Sequence, residues 1–467
     1  MTESTTRASS RYDAIVIGAG QAGPALAARL GAEGLKTAII ERKLLGGTCV
    51  NVGCIPTKTL VGSARAIHMA RRGGEYGFSS GDIKVDMQAV KARKDRIVKQ
   101  SNDGVSAWIA GMKNVTLLWG QARFTGPRTI DIDGKRTLQA DKIFINVGGR
   151  AVVPDIPGVK DVPYLTNTTM MDIDRVPEHL VIVGGSYIGL EFAQIYRRLG
   201  AKVTVVEKFD KLLPREDDDI AAEIRAILER EGVVIRTGAE CMALSKKGDR
   251  IIVGLECKGG EPIAEGSHLL LAVGRVPNTH DLGLKEAGIE TDPRGYIKVD
   301  DACRTSAEGV WCMGDANGKG AFTHTSWNDY EIVAANLFDK DPRKISDRIP
   351  CYALFIDPPL GRVGMNLDEA KKSGRKLLAG KMLMTRVGRA REMGETQGFM
   401  KVLVDAETKE LLGAAILGLN GDEIVHSLLD VMYAKKPYTT IQRAVHIHPT
   451  VTELVPTLLG SLKPFAA

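Results

Sequence analysis

The chain has 467 residues, with 63 Lys and Arg against 57 Asp and Glu, a formal net charge of +6. An excess that mild argues against a dedicated nucleic-acid-binding protein, in which dense basic stripes are expected. The length predicts about three domains, and 44% hydrophobic with 26% charged residues is a globular composition. Gly supplies 51 residues, which indicates many tight turns or close approaches of the backbone.

The N-terminal residues 1–10 are small and polar. They lack the apolar core of a secretory signal, and we interpret them as a disordered tail. No stretch approaches the ~18 apolar residues of a membrane-spanning helix, so a cytoplasmic protein is expected. Structural disulfides are rare in the cytosol, and a close pair among the seven cysteines is therefore expected to be catalytic or metal-binding.

The first predicted unit is a strand, a glycine turn, a helix and a second strand that ends on an acid. A short apolar strand leads into Gly18, Gly20 and Gly23, and after an alanine-rich helix the strand 37–40 ends on Glu41. This order is typical of a dinucleotide-binding βαβ unit. Its glycines permit the tight turn, the approach of the pyrophosphate and the packing of helix on strand. The helix N-terminus faces the phosphates, and the acid binds a ribose hydroxyl.

The same order recurs later in the chain. The strand 180–183 leads into Gly184-Gly185-Ser186-Tyr187-Ile188-Gly189, and the strand 203–206 ends on Glu207. The turn and the acid both lie 166 residues after their counterparts in the first unit. Ser186 takes the place of the middle glycine, so a slightly wider backbone approach is expected. Two dinucleotide sites predict a flavin and a nicotinamide, one accepting hydride from the other.

Two cysteines follow the first unit, Cys49 and Cys54. Five residues of ideal helix rise about 7.5 Å, beyond the usual Cα separation of a disulfide. The helix must therefore be interrupted if the two pair, and Gly53 and Pro56 permit that. The alternatives are two buried thiols that never bond, or half of a metal site. No second close Cys or His pair supports zinc, and the neighbouring dinucleotide unit favours a redox disulfide.

The segment 46–58 resembles the redox-active segment of the class I pyridine nucleotide–disulfide oxidoreductases, which include glutathione reductase, dihydrolipoamide dehydrogenase and mercuric reductase. The resemblance extends over nearly the whole chain after the tail. It implies that Cys49 is the interchange thiol that attacks substrate and that Cys54 is the charge-transfer thiolate against the flavin. It also implies that Lys58 lies near the flavin N5 with Glu191 as its partner.

Further positions match the cofactor-binding residues of that family in chain order. Among them, Ala122 belongs to a loop that touches the FAD adenine, Asp315 is expected to bind the ribitol, and Tyr187 to cover the nicotinamide pocket. The complete additional set implied by the resemblance is Gly47, Thr48, Lys58, Ala122, Gly148, Asp315 and Thr323 for FAD, with Tyr187, Ile188 and Gly274 for the nicotinamide cofactor. No metal site is predicted.

The segment 446–453 is interpreted as a loop that enters a helix, and it contains His448 and Glu453. A histidine is suited to proton transfer near neutral pH, which thiol–disulfide exchange requires, and a carboxylate can fix its tautomer. Alone, His448 could be an ordinary helix-entry histidine. The resemblance implies a dyad that reaches the cysteines of the other subunit, and hence an obligate homodimer with a shared active site. His446 is interpreted as structural.

The expected fold class is α/β, with two Rossmann-like dinucleotide-binding domains and an α+β C-terminal dimerisation domain. The predicted boundaries are a tail at 1–10, an FAD-binding domain at 11–155 and 273–346, an NAD(P)-binding domain at 156–272, and a dimerisation domain at 347–467.

The predicted function is FAD-dependent reduction of a disulfide, or of an oxidised thiol-reactive small molecule, by NAD(P)H. The segments 49–61, 322–364 and 389–399 resemble those of a mercuric-reductase-like, reactive-chlorine-resistance branch. Mercuric ion is disfavoured because a C-terminal vicinal cysteine pair is missing, the last cysteine being Cys351. Dihydrolipoamide dehydrogenase remains an alternative. Glu207 favours NADH over NADPH, because a carboxylate there repels a 2′-phosphate, although Lys208 weakens the inference.

Two functions of other classes are alternatives to this enzyme activity. A flavoprotein that binds a partner without turnover is expected to lack Cys49, Cys54 or His448, and all three are present. The basic run 91–99 could bind nucleic acid, but such a run is usually a solvated helix face. Neither a nucleic acid nor a membrane is therefore expected as a partner.

Overall fold

The computed structural model describes residues 8–257 and 260–465. Its β-strands, in chain order, are β1 (Ala8–Ile17), β2 (Thr37–Glu41), β3 (Val115–Trp119), β4 (Ala122–Gly126), β5 (Thr129–Ile132), β6 (Arg136–Ile145), β7 (Gly149–Ala151), β8 (His179–Val183), β9 (Lys202–Val206), β10 (Val234–Arg236), β11 (Ala239–Lys247), β12 (Arg250–Cys257), β13 (Ile263–Gly266), β14 (His268–Leu271), β15 (Arg275–Pro277), β16 (Val310–Cys312), β17 (Cys351–Leu354), β18 (Leu360–Gly364), β19 (Leu377–Leu383), β20 (Phe399–Asp405), β21 (Leu411–Leu417) and β22 (Lys463–Pro464).

Its α-helices, in chain order, are α1 (Ala22–Ala32), α2 (Gly47–Val52), α3 (Cys54–Arg71), α4 (Met87–Ala110), α5 (Tyr187–Leu199), α6 (Asp218–Arg230), α7 (Thr323–Ala334), α8 (Leu367–Lys372), α9 (Gly388–Glu392), α10 (Gly421–Tyr433), α11 (Thr439–Gln442) and α12 (Leu454–Gly460). None of the helices in the described ranges is long and apolar enough to cross a membrane.

The described residues form two compact units. The first contains 8–59, 92–152 and 274–348, and the second contains 60–91, 153–257, 260–273 and 349–465. The segment 60–91, expected within the FAD-binding domain, belongs to the second compact unit. The predicted cofactor domains themselves stay a prediction, because compactness alone does not assign a cofactor.

The first unit is built on a mostly parallel sheet. Its strands run in the order β3-β2-β1-β6-β5-β4, with β16 also parallel to β6, whereas β4, β5 and β6 pair in antiparallel fashion. In β1 the side chains alternate between two cores: Ala14 and Val16 pack in one, Ile15 and Ile17 in the other. A strand buried on both faces needs this nearly continuous apolar run. Because both faces of β1 are packed in these cores, the position of the glycine turn directly after the strand is fixed.

The second unit contains a parallel sheet in the order β10-β9-β8-β14 and an antiparallel sheet β11-β12-β13. Its C-terminal part is a six-stranded antiparallel sheet in the order β17-β18-β21-β20-β19-β22, and α10 packs on β18 and β21. Together with the first unit, these sheets confirm the predicted α/β class, with two strand–turn–helix–strand units and an α+β C-terminal part.

One local expectation needs correction. The predicted tail 1–10 ends too late, because β1 begins at Ala8 and its first residues pair with β6 from Arg136 onward. Backbone pairing with β6 makes the start of β1 a strand, although its side chains show no apolar pattern. Residues 1–7 of the predicted tail lie outside the described ranges. The basic run 91–99 lies in α4 as a largely solvated face, except that Lys94 is buried.

Candidate active site

The first glycine turn lies against the end of β6. Gly18 has φ +101°, and a Cβ there would lie 2.3 Å from the carbonyl oxygen of Asn146. A Cβ on Gly23 would lie 2.1 Å from the carbonyl oxygen of Gly18. Gly20 is less confined, since its Cβ would be 3.3 Å from Asn146 Nδ2. The turn therefore requires glycine at its two ends, as the sequence predicted, and α1 begins directly behind it.

Glu41 fastens this turn to the end of β2. Its Oε2 accepts the N–H of Ala19 at 2.9 Å, and its Oε1 accepts the N–H groups of Arg42 and Lys43 at 2.8 Å each. The acid at the second strand thus fixes the backbone around the turn, in addition to its predicted role toward a ribose.

The second glycine turn repeats this construction. Gly184 has φ +115°, and a Cβ there would lie 2.4 Å from the carbonyl oxygen of Ala272, while a Cβ on Gly189 would lie 2.1 Å from that of Gly184. The N–H of Gly185 donates to Glu207 Oε2 at 2.7 Å, as Ala19 does to its acid. Ser186 precedes α5, so Tyr187 and Ile188 are that helix's first residues.

Both turns have the features needed by a dinucleotide. In each, a helix N-terminus with its N–H groups follows the glycine turn. Because the glycines carry no side chains, a pyrophosphate can approach these N–H groups closely. Gly148, with φ +63°, would have no atom within 4 Å of a Cβ, and Gly274, with φ +130°, only Val152 Cγ2 at 4.0 Å. Open space beside these glycines leaves room for a ligand. Both turns therefore fit a dinucleotide, and the assignment of FAD to the first turn and NAD(P) to the second stays a prediction.

The redox segment is two helices with a break between them. α2 ends before Gly53, whose φ of −133° and ψ of −114° depart from helix, and α3 starts at Cys54. A Cβ on Gly53 would lie 2.8 Å from the carbonyl oxygen of Thr48. The interruption that a Cys49–Cys54 pairing requires is therefore present, and Gly53 permits it. Pro56 is in the first turn of α3, where proline is tolerated.

The two cysteines lie on either side of this break. Interaction with the Cys54 side chain, and then burial, raise the pKa of the Cys49 thiol. Cys54 Sγ also lies 3.2 Å from the hydroxyl of Thr323, the first residue of α7. Three predicted residues therefore meet around one sulfur atom, and Lys58 lies one helical turn further along α3.

Asp315 lies in a short 3-10 helix at 314–317 that follows β16. Burial raises the pKa of its carboxyl group, against the opposing effect of Arg275, whose guanidinium is 3.6 Å from Asp315. Arg275 also donates to the carbonyl oxygen of Gly149 at 2.6 Å. Arg275 was not among the predicted site residues, although it directly follows the predicted Gly274.

The remaining predicted residues of the first unit lie at strand and helix ends. Ala122 is the buried first residue of β4. Gly47 and Thr48 open α2, and a Cβ on Gly47 would lie 2.9 Å from the Cα of Gly20. The redox segment thus packs directly on the first glycine turn.

The predicted dyad is formed in the second unit. His448 Nδ1 lies 2.9 Å and 3.1 Å from the two carboxylate oxygens of Glu453, which immediately precedes α12. This orients the ring so that Nε2 points away from the carboxylate. The side chain of His448 is 80% exposed and that of Glu453 only 16%. Val445 and Ile447 beside it are exposed as well.

Glu191 is buried on α5, where its Oε1 accepts the N–H of Phe355 at 3.0 Å. Its predicted pairing with Lys58 stays a prediction. Throughout the described ranges, no group of three or more His, Cys, Asp and Glu side chains could hold a metal ion.

The chain is similar to known proteins over most of its length. The family model for pyridine nucleotide-disulphide oxidoreductases matches residues 12–329, and the one for their dimerisation domain matches 351–459. Probable pyridine nucleotide-disulfide oxidoreductase RclA of Escherichia coli is 36% identical over 97% of this chain and 100% of its own length. Dihydrolipoyl dehydrogenase of Thermus scotoductus is 35% identical over 95% of both chains. The solved structure of HOCl-induced flavoprotein disulfide reductase RclA from Escherichia coli has a TM-score of 0.88 and 35% identity, with 97% of this chain and 100% of that one covered.

Proposed function

Because the chain belongs to the pyridine nucleotide-disulphide oxidoreductase family, we propose that it reduces a small disulfide or an oxidised thiol-reactive substrate through Cys49 and Cys54. The predicted family and enzyme class are confirmed, and so are the FAD and NAD(P)H cofactors. The observation that carries the proposal is the break at Gly53 that pairing of Cys49 with Cys54 requires, together with the 3.2 Å approach of Cys54 Sγ to the Thr323 hydroxyl.

The residues proposed to hold FAD are the first glycine turn, Glu41, the start of α2, Gly148, Asp315 and the start of α7. FAD bound there supplies electron transfer between the nicotinamide and the cysteine pair. Arg275 is proposed to orient Asp315 and the backbone at Gly149, because it contacts both.

The chemistry at sulfur follows from the two thiols. Deprotonated Cys49 attacks one sulfur of a substrate disulfide, forming a mixed disulfide and releasing one thiolate, which takes up a proton. Cys54 then attacks the Cys49 sulfur, releasing the second substrate thiol and forming the Cys49–Cys54 disulfide. Since its pKa is raised, Cys49 needs a base to deprotonate it, and His448 is proposed for that role.

The partner subunit is proposed to supply this base. The dimerisation domain supports a homodimer, and His448 lies on an exposed, apolar-flanked loop with its Nδ1 held by Glu453. A loop of this kind, with its reactive nitrogen directed outward, is suited to reach a second copy of the chain. The active site is therefore proposed to be shared between subunits.

Glu207 supports NADH as the preferred nucleotide. Its carboxylate is fixed by the N–H groups of Gly185 and Phe209, at 2.7 and 3.0 Å. A fixed negative charge beside the ribose position disfavours a 2′-phosphate. We propose the cytoplasm as the location, because an enzyme that turns over dithiols is suited to a compartment in which thiols stay reduced.

Dihydrolipoyl dehydrogenase activity is the second candidate. The His448–Glu453 dyad and Glu207 favour it, as does the identity with the Thermus scotoductus enzyme. In that case the same path runs in reverse, from dithiol to NAD+.

Two experiments test the proposal. On two-electron reduction of the holoenzyme, a long-wavelength charge-transfer band should appear, and Cys54→Ser should abolish it while Cys351→Ser, a half-buried cysteine elsewhere, retains it. NADH oxidation against lipoamide, glutathione disulfide, hypothiocyanous acid and mercuric and cupric ions then separates the candidates. Absence of the band in the wild-type enzyme would refute the cysteine mechanism, and lipoamide as the best substrate would favour the second candidate.

A further inference from the structure

A buried carboxylate in the second unit joins the start of α5 to the C-terminal sheet. Glu216 lies in the loop before α6, and its side chain is 1% exposed. Its Oε1 accepts the hydroxyl of Tyr352, on β17, at 2.6 Å and that of Tyr187 at 3.2 Å. Its Oε2 lies 3.3 Å from Arg362 on β18. The charge is thus balanced inside the protein by one guanidinium and two phenols.

The two tyrosines are held by their rings as well as by their hydroxyl groups. The rings of Tyr187 and Tyr352 meet edge to face, with centroids 5.6 Å apart and planes at 87°. Burial, and then the charge of Glu216, raise the pKa of both phenols, so each keeps its proton and donates. Arg362 is itself fixed by Asp217 at 3.1 Å. We call Tyr187, Glu216, Tyr352 and Arg362 the tyrosine latch.

The latch ends at the nucleotide-binding turn. Tyr187 is the first residue of α5, directly after the second glycine turn. Helical side chains tilt toward the N-terminus of their helix, so its ring leans toward the end of α5 at which a dinucleotide is proposed to bind. The ring is half-buried, and the latch restrains it on the side of the C-terminal sheet.

We propose that Glu216, supported by Tyr352 and Arg362, positions the Tyr187 ring in its resting orientation and thereby sets the affinity for the pyridine nucleotide. The inference rests on the proposed role of Tyr187 as the cover of the nicotinamide pocket. A nucleotide that displaces the ring must first break its hydrogen bond to Glu216. A resting state that excludes the ligand reduces the apparent affinity in proportion to the fraction of molecules left in the binding-competent state. Weakening the latch raises that fraction and so tightens binding.

The test is an equilibrium titration of the oxidised holoenzyme with NAD+, in which calorimetry measures the Kd. Tyr187→Phe removes the hydroxyl and keeps the ring, and Glu216→Gln keeps the shape and removes the charge. Both should bind NAD+ more tightly, by about tenfold for a lost hydrogen bond to a charged acceptor. The matched control is Tyr196→Phe, on the same helix, which removes a buried hydroxyl bonded to the carbonyl oxygen of Met170 and should leave the Kd unchanged.

A further variant, Tyr187→Ala, distinguishes the role of Tyr187 as a cover of the nicotinamide pocket from the role of the latch in positioning it. If removing the whole ring leaves the Kd for NAD+ unchanged, the proposed role of Tyr187 as a cover is wrong. If Tyr187→Ala changes the Kd while Tyr187→Phe and Glu216→Gln match the wild type, the cover stands and the latch is overturned. Weaker binding by Tyr187→Phe would also overturn it, since the hydroxyl would then assist the nucleotide.

Discussion

The two glycine turns predict that the cofactors can be removed one at a time. A Cβ on Gly189 would lie 2.1 Å from the carbonyl oxygen of Gly184, whereas carbon–oxygen contacts begin near ~3.3 Å. The turn and the start of α5 must therefore separate by roughly 1 Å, an overpacking that costs about 1–3 kcal/mol. A shift of that size misaligns the N–H groups of α5, and one lost bond to a phosphate is worth about 1.5–3 kcal/mol, or at least about tenfold in Kd.

We expect Gly189→Ala to keep FAD and to bind NAD+ at least about tenfold more weakly. Gly23→Ala, with the same 2.1 Å approach to Gly18 in the first unit, should lose FAD instead. FAD content is measured by absorbance and NAD+ binding by calorimetry. The control is Gly104→Ala in α4, where a Cβ meets nothing within 4 Å. Loss of FAD from Gly189→Ala, or its normal affinity for NAD+, would refute the assignment of one cofactor to each turn.

Three further predictions concern protons, the nucleotide and stability. His448→Gln should lower kcat with a disulfide substrate by about 10²–10⁴ without changing the flavin spectrum, and an unchanged kcat would contradict the role of the dyad. NADH should have the higher kcat/KM of the two nucleotides because of Glu207, and a preference for NADPH would show that inference to be wrong. Burial alone would raise the pKa of Asp217, but Arg362, the Leu367 N–H and other partners lower it. Its stabilising effect is therefore present above the unfolded pKa, about 3.9, and is lost as pH falls through the lower folded value. Asp217→Asn should lower Tm at pH 7 and flatten the acid side of Tm against pH, and parallel curves for the two proteins would refute this.

Features that depend on local chemistry were predictable from the sequence. The glycine turns and the break between the cysteines each lie within a few residues, so spacing and residue type suffice. The His448–Glu453 contact is equally local, but the residues alone left it open and only the family resemblance implied it. The start of β1 was missed, because Ala8 pairs with Arg136 through backbone hydrogen bonds that leave no mark on the side-chain pattern.

Contacts set by topology were not predictable in the same way. Glu216 lies in a loop with no recognisable motif, and its bond to Tyr352 spans 136 residues of chain. Arg275 directly follows the predicted Gly274, but its contact with Asp315 depends on the pairing of β15 with β7. No periodicity or turn signal encodes such neighbours, and a functional role for either residue could be argued only once the chain was folded.

The repeated acids show why the turn and its specificity cannot be treated separately. Glu41 and Glu207 both accept an N–H from the glycine turn, at 2.9 and 2.7 Å. The carboxylate proposed to read a ribose hydroxyl is therefore also the group that fixes the phosphate-facing backbone. Removing its side chain frees a buried N–H, which costs about 1–3 kcal/mol, so poorer binding of both nucleotides would follow whatever the preference between them. Glu207→Gln removes the charge and keeps an oxygen for the N–H of Gly185, but it loses the acceptor for the N–H of Phe209. A change of preference is therefore measured as the ratio of kcat/KM for NADH and NADPH, in which a loss common to both nucleotides cancels.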